Sequence, residues 1–125
     1  MEELRKTYHH DLEAARAGLA RLAALVTELI PRATAVLLEG DLEGAEYIIS
    51  GDREIDARSV ELEEQCISIL ALQAPVATEL RQVVALLRMI AEVERSGDLV
   101  SNICKIARRI YGHDLDPKLR GIISR

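Results

Sequence analysis

Aromatic side chains are scarce in this sequence, whose 125 residues include no phenylalanine, no tryptophan and three tyrosines. The hydrophobic residues, 49% of the chain, are therefore mostly Ala, Leu, Ile and Val, so any core is aliphatic. This composition favours helices packed on helices and argues against an aromatic-rich β-sandwich. The length is that expected of one compact domain.

Basic residues are fewer than acidic ones, 16 against 21, which gives a formal net charge of −5. Nucleic acids and anionic lipids are bound through an excess of Lys and Arg, so we expect neither as a partner. The longest stretch without a charge, residues 65–78, is broken by Pro75 and is too short to cross a bilayer. The N-terminus lacks the apolar core of a signal peptide. We therefore expect a soluble, cytoplasmic protein with no direct insertion into a membrane.

Cysteine and histidine are too few for a zinc site or a disulfide framework. Cys66 and Cys104 belong to no CxxC motif or Cys/His cluster, and no histidine lies between His10 and His113. Along straight helices the two cysteines would lie about 30 Å apart, which excludes a disulfide between them. We expect both to be core thiols in a reducing compartment.

Apolar residues recur every three or four positions in three long segments, which is the spacing of an amphipathic helix. The pattern predicts helices over about residues 3–38, 42–72 and 78–112. Gly40 and Asp41 suit the first turn as a C-terminal cap and an N-cap, and Pro75 suits the second turn. Pro31 falls inside the first helix, where we expect a kink and not an end.

We therefore predict an all-α fold, an antiparallel three-helix bundle that occupies residues 1–112. Residues 113–125 are expected to form a linker and the start of a further helix, because Asp116 is placed as an N-cap with Pro117 directly after it. A helix start at this position indicates a chain cut from a longer helical protein, with a short natural tail as the alternative.

Each predicted helix has an apolar seam, the line of residues every three or four positions that faces its neighbours. Acidic side chains interrupt the seams of the second and third helices. Asp52 lies on the seam of the second helix and Glu94 on that of the third. Each has an acidic companion four residues later on the same helix face, Asp56 after Asp52 and Asp98 after Glu94. The seam expected in the third helix consists of Leu80, Val83, Leu87, Ile90, Glu94, Gly97, Ser101 and Cys104. Ser59, on the second seam, and Ser101 are expected to add polar surface beside the acids.

In an antiparallel hairpin that turns at Pro75, the two acid pairs reach the same height. Asp56 and Glu94 are each 19 residues from Pro75, and Asp52 and Asp98 are each 23 residues from it. This places them roughly 28 to 35 Å from the turn. We therefore expect the four carboxylates to converge on one patch.

Four carboxylates crowded on a partly apolar seam are costly unless they are protonated or matched by cations. A bound metal ion resolves this conflict, with Asp52, Asp56, Glu94 and Asp98 as the predicted ligands. A donor set made only of oxygens favours magnesium, calcium, manganese or iron, and zinc is less suited. The lack of a Glu-x-x-His motif disfavours a di-iron oxidase or a ferritin.

Two alternatives stay open. In the first, the acids are solvated surface charges paired with Arg53, Arg58 or Arg95, and the chain is a metal-free helical dimerisation module. In the second, the same four acids serve a carboxylate-bridged metalloenzyme, although the sequence offers no further proton-transfer group beside them.

Four segments, taken in order, carry a resemblance to a known family. They are Asp52-Arg-Glu-Ile-Asp56, Ile69-Leu-Ala-Leu-Gln-Ala-Pro-Val-Ala77, Glu79-Leu-Arg81 and Glu94-Arg-Ser-Gly-Asp98. In their order and spacing, over about residues 5–112, the chain resembles the PhoU family, the accessory proteins of bacterial phosphate-specific transport. The resemblance implies the first of two tandem three-helix bundles. It also implies that Asp52, Asp56, Glu94 and Asp98 form the family's motif for binding clusters of iron or other divalent metals.

The resemblance further implies a regulator and not an enzyme. PhoU-like proteins are thought to connect the ATPase subunit of the phosphate transporter with the phosphate-sensing histidine kinase, and to restrain the phosphate-starvation response when phosphate is plentiful. We also expect a homodimer, with iron, manganese or magnesium as the bound metal.

Overall fold

Three helices make up the part of the chain that the computed structural model describes, residues 2–73 and 77–112. Helix α1 spans Glu2–Glu39, α2 spans Leu42–Gln73 and α3 spans Ala77–Gly112, and the described residues contain no β-strand. The predicted all-α three-helix bundle is therefore confirmed, with helix boundaries close to the predicted ones. The turn at Pro75 and the linker predicted at residues 113–125 lie outside the described residues.

The turn between α1 and α2 is built from Gly40 and Asp41, as predicted. Gly40 has a φ of 71°, a left-handed conformation that residues with a Cβ rarely adopt, and its N–H donates to the Val36 carbonyl at 2.9 Å. Asp41 caps α2, because its Oδ1 accepts a 3.0 Å hydrogen bond from the backbone N–H of Gly44. Helix α1 continues through Pro31, which therefore does not end it.

Two tyrosines show how the helices are oriented. Near the start of α1 the Tyr8 hydroxyl donates to the carbonyl of Glu79, near the start of α3, at 3.0 Å. Near the other end of the same two helices, the Tyr111 hydroxyl donates to the Leu37 carbonyl at 2.9 Å. Helices α1 and α3 therefore run parallel, and α2, which connects them, runs antiparallel to both.

The core is aliphatic, as the composition requires. The largest fully buried side chains include Leu22, Ile48, Ile55, Ile69 and Ile90, drawn from all three helices. Burying one such side chain contributes about 1.5–3 kcal/mol, so packing of the apolar helix faces stabilises the bundle. None of the three described helices combines the length and apolar content that crossing a bilayer requires.

Both cysteines lie in this core as free thiols with no exposed surface, as predicted. Burial raises the pKa of the Cys66 thiol, and the nearby carboxylate of Glu63 raises it further. Burial alone raises the pKa of Cys104. A raised pKa keeps each sulfur in the unreactive thiol form, in agreement with a packing role.

The seam predicted for α3 is wrong at Leu80 and Leu87, whereas Val83 and Ile90 are buried as predicted. Leu80 is 43% exposed and Leu87 is half-buried, whereas Leu86, which lies outside the predicted seam, is 2% exposed. An α-helix has 3.6 residues per turn, so a seven-residue repeat drifts around it by about 20° per repeat. Because α3 packs against both α1 and α2, its buried face is also wider than a single seam.

Candidate metal centre

Three of the four predicted ligands come together where α2 faces α3. Asp52 and Asp56 lie one turn apart on α2, and Asp98 lies on the facing part of α3. One carboxylate oxygen from each of the three lies within 4.8 Å of the other two. Asp52 and Asp56 are half-buried and Asp98 is exposed, so the cluster sits at the edge of the core and is open to solvent on one side.

Glu94, the fourth predicted ligand, lies outside this group of three but close to it. It is half-buried, and burial is the largest cause that raises the pKa of its carboxyl. The negative charges of Glu63, Asp56, Asp98 and Asp52 raise the pKa of Glu94 further, in that order. Glu94 thus borders the same patch of carboxylates, one turn before Asp98 on α3.

Asp52 has a buried carboxylate oxygen that lacks a hydrogen-bond partner among the described residues. Its Oδ1 is buried and accepts no hydrogen bond from any residue that the structure describes. Burial raises the pKa of Asp52, the charges of Asp56 and Asp98 raise it further, and Lys105 offsets part of this increase. A buried, unpartnered carboxylate oxygen destabilises a fold unless a proton or a cation satisfies it.

The nearby arginines do not neutralise these acids. Arg58 forms a 2.9 Å ion pair with Glu54 on the exposed surface of α2, and Arg95 forms a 3.0 Å ion pair with Glu92 on α3. Within residues 2–73 and 77–112, none of the four predicted ligands forms an ion pair. Pairing of the predicted ligands with Arg53, Arg58 or Arg95 therefore has no support in the contacts of the described residues.

A small residue lets α2 and α3 approach closely under the acids. Gly97 is buried, and a Cβ at this position would lie 3.3 Å from Cγ2 of Ile55, which is tighter than most contacts of this kind. Gly97 immediately precedes Asp98, and Ile55 immediately precedes Asp56. The close packing of Ile55 on Gly97 therefore keeps α2 and α3 close together beside Asp56 and Asp98.

The two serines flagged in the sequence do not add polar surface, contrary to expectation. Ser59 is fully buried and its hydroxyl donates to the Ile55 carbonyl at 2.9 Å, a bond within its own helix. Ser101 is 1% exposed, and its Oγ has no hydrogen-bond partner among the described residues. Both positions are part of the core, so the centre offers carboxylates as its donors.

Glu63 is a nearby acid that the sequence reasoning missed. It is half-buried, and it is the first of the charged groups that raise the pKa of Glu94. Glu63 lies seven residues after Asp56, which places it two turns further along the same face of α2. This spacing was visible in the sequence, but only the packing of α3 against α2 brings Glu63 near Glu94.

The family model and the curated proteins that match this chain indicate the same family. A family model described as the PhoU domain matches residues 19–107. Phosphate-specific transport system accessory protein PhoU homolog 2 of Mycobacterium tuberculosis is 38% identical over 122 residues, 97% of this chain and 57% of that protein. PhoU homolog 1 of Mycobacterium leprae is 36% identical over 115 residues, 92% of this chain and 52% of that protein.

A more distant relative agrees with these two. Phosphate-specific transport system accessory protein PhoU of Serratia marcescens is 31% identical over 117 residues, 94% of this chain and 48% of that protein. The chain spans about half the length of these curated relatives. No solved structure gives a significant match.

The raised pKa values predict how the stability of the metal-free protein depends on pH. Unfolded Asp and Glu titrate near pH 4, and the folded pKa values of Asp52 and Glu94 are higher. Above about pH 4 the folded state therefore holds more protons at these groups, so their contribution to stability falls as the pH rises through the folded pKa values. An Asp52→Asn/Glu94→Gln variant has no carboxyl at these two positions, so its free energy of unfolding does not include this decrease.

Urea unfolding in the presence of a chelator checks this prediction. The gain in free energy of unfolding of the variant over the wild type should grow as the pH rises from about 4 to 7. Glu61→Gln/Glu64→Gln removes two exposed acids of α2 and serves as the control, in which no such growth is expected. Parallel pH profiles for the wild type and the Asp52→Asn/Glu94→Gln variant would contradict the prediction.

Proposed function

The chain belongs to the PhoU family, and from that premise we propose that it is an accessory regulator of phosphate transport and not an enzyme. The observation that carries the proposal is the match of residues 19–107 to the PhoU domain. Relatives that are named accessory proteins of a phosphate-specific transport system support a regulatory role over a catalytic one. The metalloenzyme alternative has no specific observation in its favour.

In this proposal the protein is a cytoplasmic adaptor with two partners. It links the ATPase subunit of the phosphate transporter to the phosphate-sensing histidine kinase, and so restrains the phosphate-starvation response when phosphate is plentiful. The bundle of α1, α2 and α3 is the interacting unit. Long helices with exposed faces on every side of a rigid core suit an adaptor, because different faces can bind different partners.

A homodimer is also part of the proposal. On α3, the exposed side chains of Leu99, Ile103 and Ile106 follow the spacing of neighbours on one helix face. They form an apolar strip on the outside of the bundle, and such strips are typical of surfaces that associate. This strip supports contact with a second copy of the chain.

The proposed regulator holds a metal ion at the carboxylates of α2 and α3. Asp52, Asp56 and Asp98 are the proposed ligands, with Glu94 as the fourth. The donor set fits a hard cation, because it consists of carboxylate oxygens and includes the buried, unpartnered Oδ1 of Asp52. Iron, manganese or magnesium suits these donors, and zinc suits them less. When bound, the ion would supply the positive charge that compensates the repulsion between α2 and α3.

Elemental analysis tests the metal site. Protein purified without chelator and then desalted after incubation with iron, manganese or magnesium salts should retain metal. The variant Asp52→Asn/Asp56→Asn/Glu94→Gln/Asp98→Asn should retain none, because it lacks all the ligand charges. Glu94→Gln alone should lower retention less than Asp98→Asn, because Glu94 lies outside the group of three.

The matched control for this experiment is Glu61→Gln/Glu64→Gln, which changes exposed acids on α2 and should retain metal like the wild type. The site is wrong if the wild type and the variant lacking all four acids carry equal amounts of metal. It is equally wrong if the wild type carries none with any of the three salts.

Co-purification tests the adaptor role. Immobilised chain should capture the transporter ATPase subunit and the histidine kinase of its own organism, each added as purified protein. A three-helix bundle of similar net charge but unrelated sequence is the control and should capture neither. If neither partner binds the chain, nor a longer version that includes any following sequence, the adaptor role is excluded.

A further inference from the structure

A groove lies between α1 and α2, lined by these two helices, and it shares no residue with the candidate metal centre. Its volume is about 520 Å³, and its apolar floor consists of Leu25, Leu29 and Ile55. Leu29 and Ile55 belong to the core, and Leu25 packs against it, so the floor is fixed by the packing of the bundle. The groove is therefore a preformed feature of the surface.

The charged side chains that line this groove are all acidic. Glu43, Glu46 and Glu54 follow one another along the α2 wall. Glu46 pairs with Arg108 at 2.9 Å and Glu54 pairs with Arg58 at 2.9 Å, and both ion pairs are exposed. Exposed pairs of this kind contribute little to stability, so a cation from outside can replace either arginine. The groove thus favours a ligand that is apolar in the middle and basic at its edges.

Gly51 leaves open space on the α2 wall of this groove. It lies inside α2, where glycine destabilises a helix relative to alanine. A Cβ at this position would meet no atom of the described chain within 4 Å, so internal packing does not require glycine here. A residue without a side chain on a groove wall allows another backbone to approach the helix closely.

Tyr47 closes one side of the groove with an exposed aromatic ring. The ring is 60% exposed, and the guanidinium of Arg32, from α1, lies 4.7 Å from its centroid. This cation–π contact holds the ring in place across the two helices. A large, oriented and exposed ring is a typical anchor of protein interfaces.

We propose that this groove docks a basic amphipathic helix of a partner protein. The apolar side chains of the docked helix lie on Leu25, Leu29 and Ile55, and its backbone passes Gly51. Its Lys or Arg side chains pair with the glutamates of the α2 wall. This is the helix-in-groove mode of recognition, with charge complementarity that selects the partner. The inference rests on the adaptor role proposed above and names the surface that one partner would use.

A synthetic peptide of about 16 residues is the probe, because this length allows a helix in water. The peptide is based on alanine, with leucines at positions i, i+4 and i+7 and lysines beside them. It carries a fluorophore, and the fluorescence anisotropy reports binding. It should bind the wild type and shift the amide resonances of Ser50, Gly51 and Glu54. A matched peptide with glutamate in place of each lysine should not bind.

Gly51→Leu is the decisive variant, because its Cβ meets no described atom within 4 Å and the rest of the side chain adds bulk to the groove wall. It should weaken binding of the lysine peptide by at least about tenfold. Its unfolding temperature should equal or exceed that of the wild type, since leucine favours a helix more than glycine does. Ala57→Leu adds the same bulk at an exposed position of α2 that does not line the groove, and it should leave binding unchanged.

A charge variant completes the test. Glu43→Gln/Glu46→Gln should weaken binding, whereas Glu61→Gln/Glu64→Gln, with the same change in net charge on the same helix, should not. The proposal is overturned if the lysine peptide fails to bind, if Gly51→Leu binds it as tightly as the wild type, or if the glutamate peptide binds equally well. Dimerisation of the wild type that Gly51→Leu abolishes would assign the groove to a second copy and would also overturn it.

The peptide assay separates this inference from the adaptor role. If the peptide binds the groove but neither the ATPase subunit nor the kinase is captured, the adaptor role fails and the groove is assigned to another basic partner. If a partner is captured equally by the wild type and by Gly51→Leu, the adaptor role stands and the groove is excluded as its surface.

Discussion

Close aliphatic packing between α2 and α3 forces like charges together, and the rest of the candidate site depends on this constraint. Ile55 packs on Gly97, and the residues that follow them, Asp56 and Asp98, are thereby held with Asp52 in one group. Burial and mutual repulsion raise the pKa of Asp52, and Glu94 on the border of the group responds in the same way. The apolar contacts that stabilise the bundle thus maintain an arrangement of carboxylates that a cation would relieve.

Helix α2 separates two surfaces of different chemistry. Towards α3 it presents Asp52 and Asp56, which belong to the carboxylate group. Towards α1 it presents the groove wall with Gly51, Tyr47 and Glu54. Ile55 is buried between the two and contributes to both, since it packs on Gly97 and also forms part of the groove floor.

Most of the fold could be predicted from the sequence, because it depends on local signals. The repeat of apolar residues set the three helices, and Gly40 with Asp41 marked the first turn through their backbone and capping preferences. Asp52 and Asp98, each 23 residues from Pro75, come together in the structure, as counting along an antiparallel pair of helices requires. These features follow from helix geometry alone and need no knowledge of side-chain packing.

What the sequence could not provide is the rotation of each helix about its own axis. The choice of Leu86 over Leu87 for the core depends on how α3 faces two neighbours at once, and a seven-residue repeat does not contain that information. The rotation of α3 also places Glu94 beside the group of Asp52, Asp56 and Asp98, and it brings Glu94 near Glu63 of α2. Arg95 is adjacent to Glu94 in sequence, yet it turns outward to Glu92, because neighbouring residues on a helix point in different directions.

The proposed cation relieves the repulsion among the carboxylates between α2 and α3. The most direct test is the unfolding temperature of chelator-treated protein as Mn²⁺ is added. An ion that binds the folded state stabilises it in proportion to the logarithm of its concentration once the dissociation constant is exceeded. We predict that the unfolding temperature of the wild type rises with Mn²⁺ and that of Asp52→Asn does not. An unfolding temperature of the wild type that is unchanged by Mn²⁺, and by iron or magnesium under the same conditions, would contradict the claim.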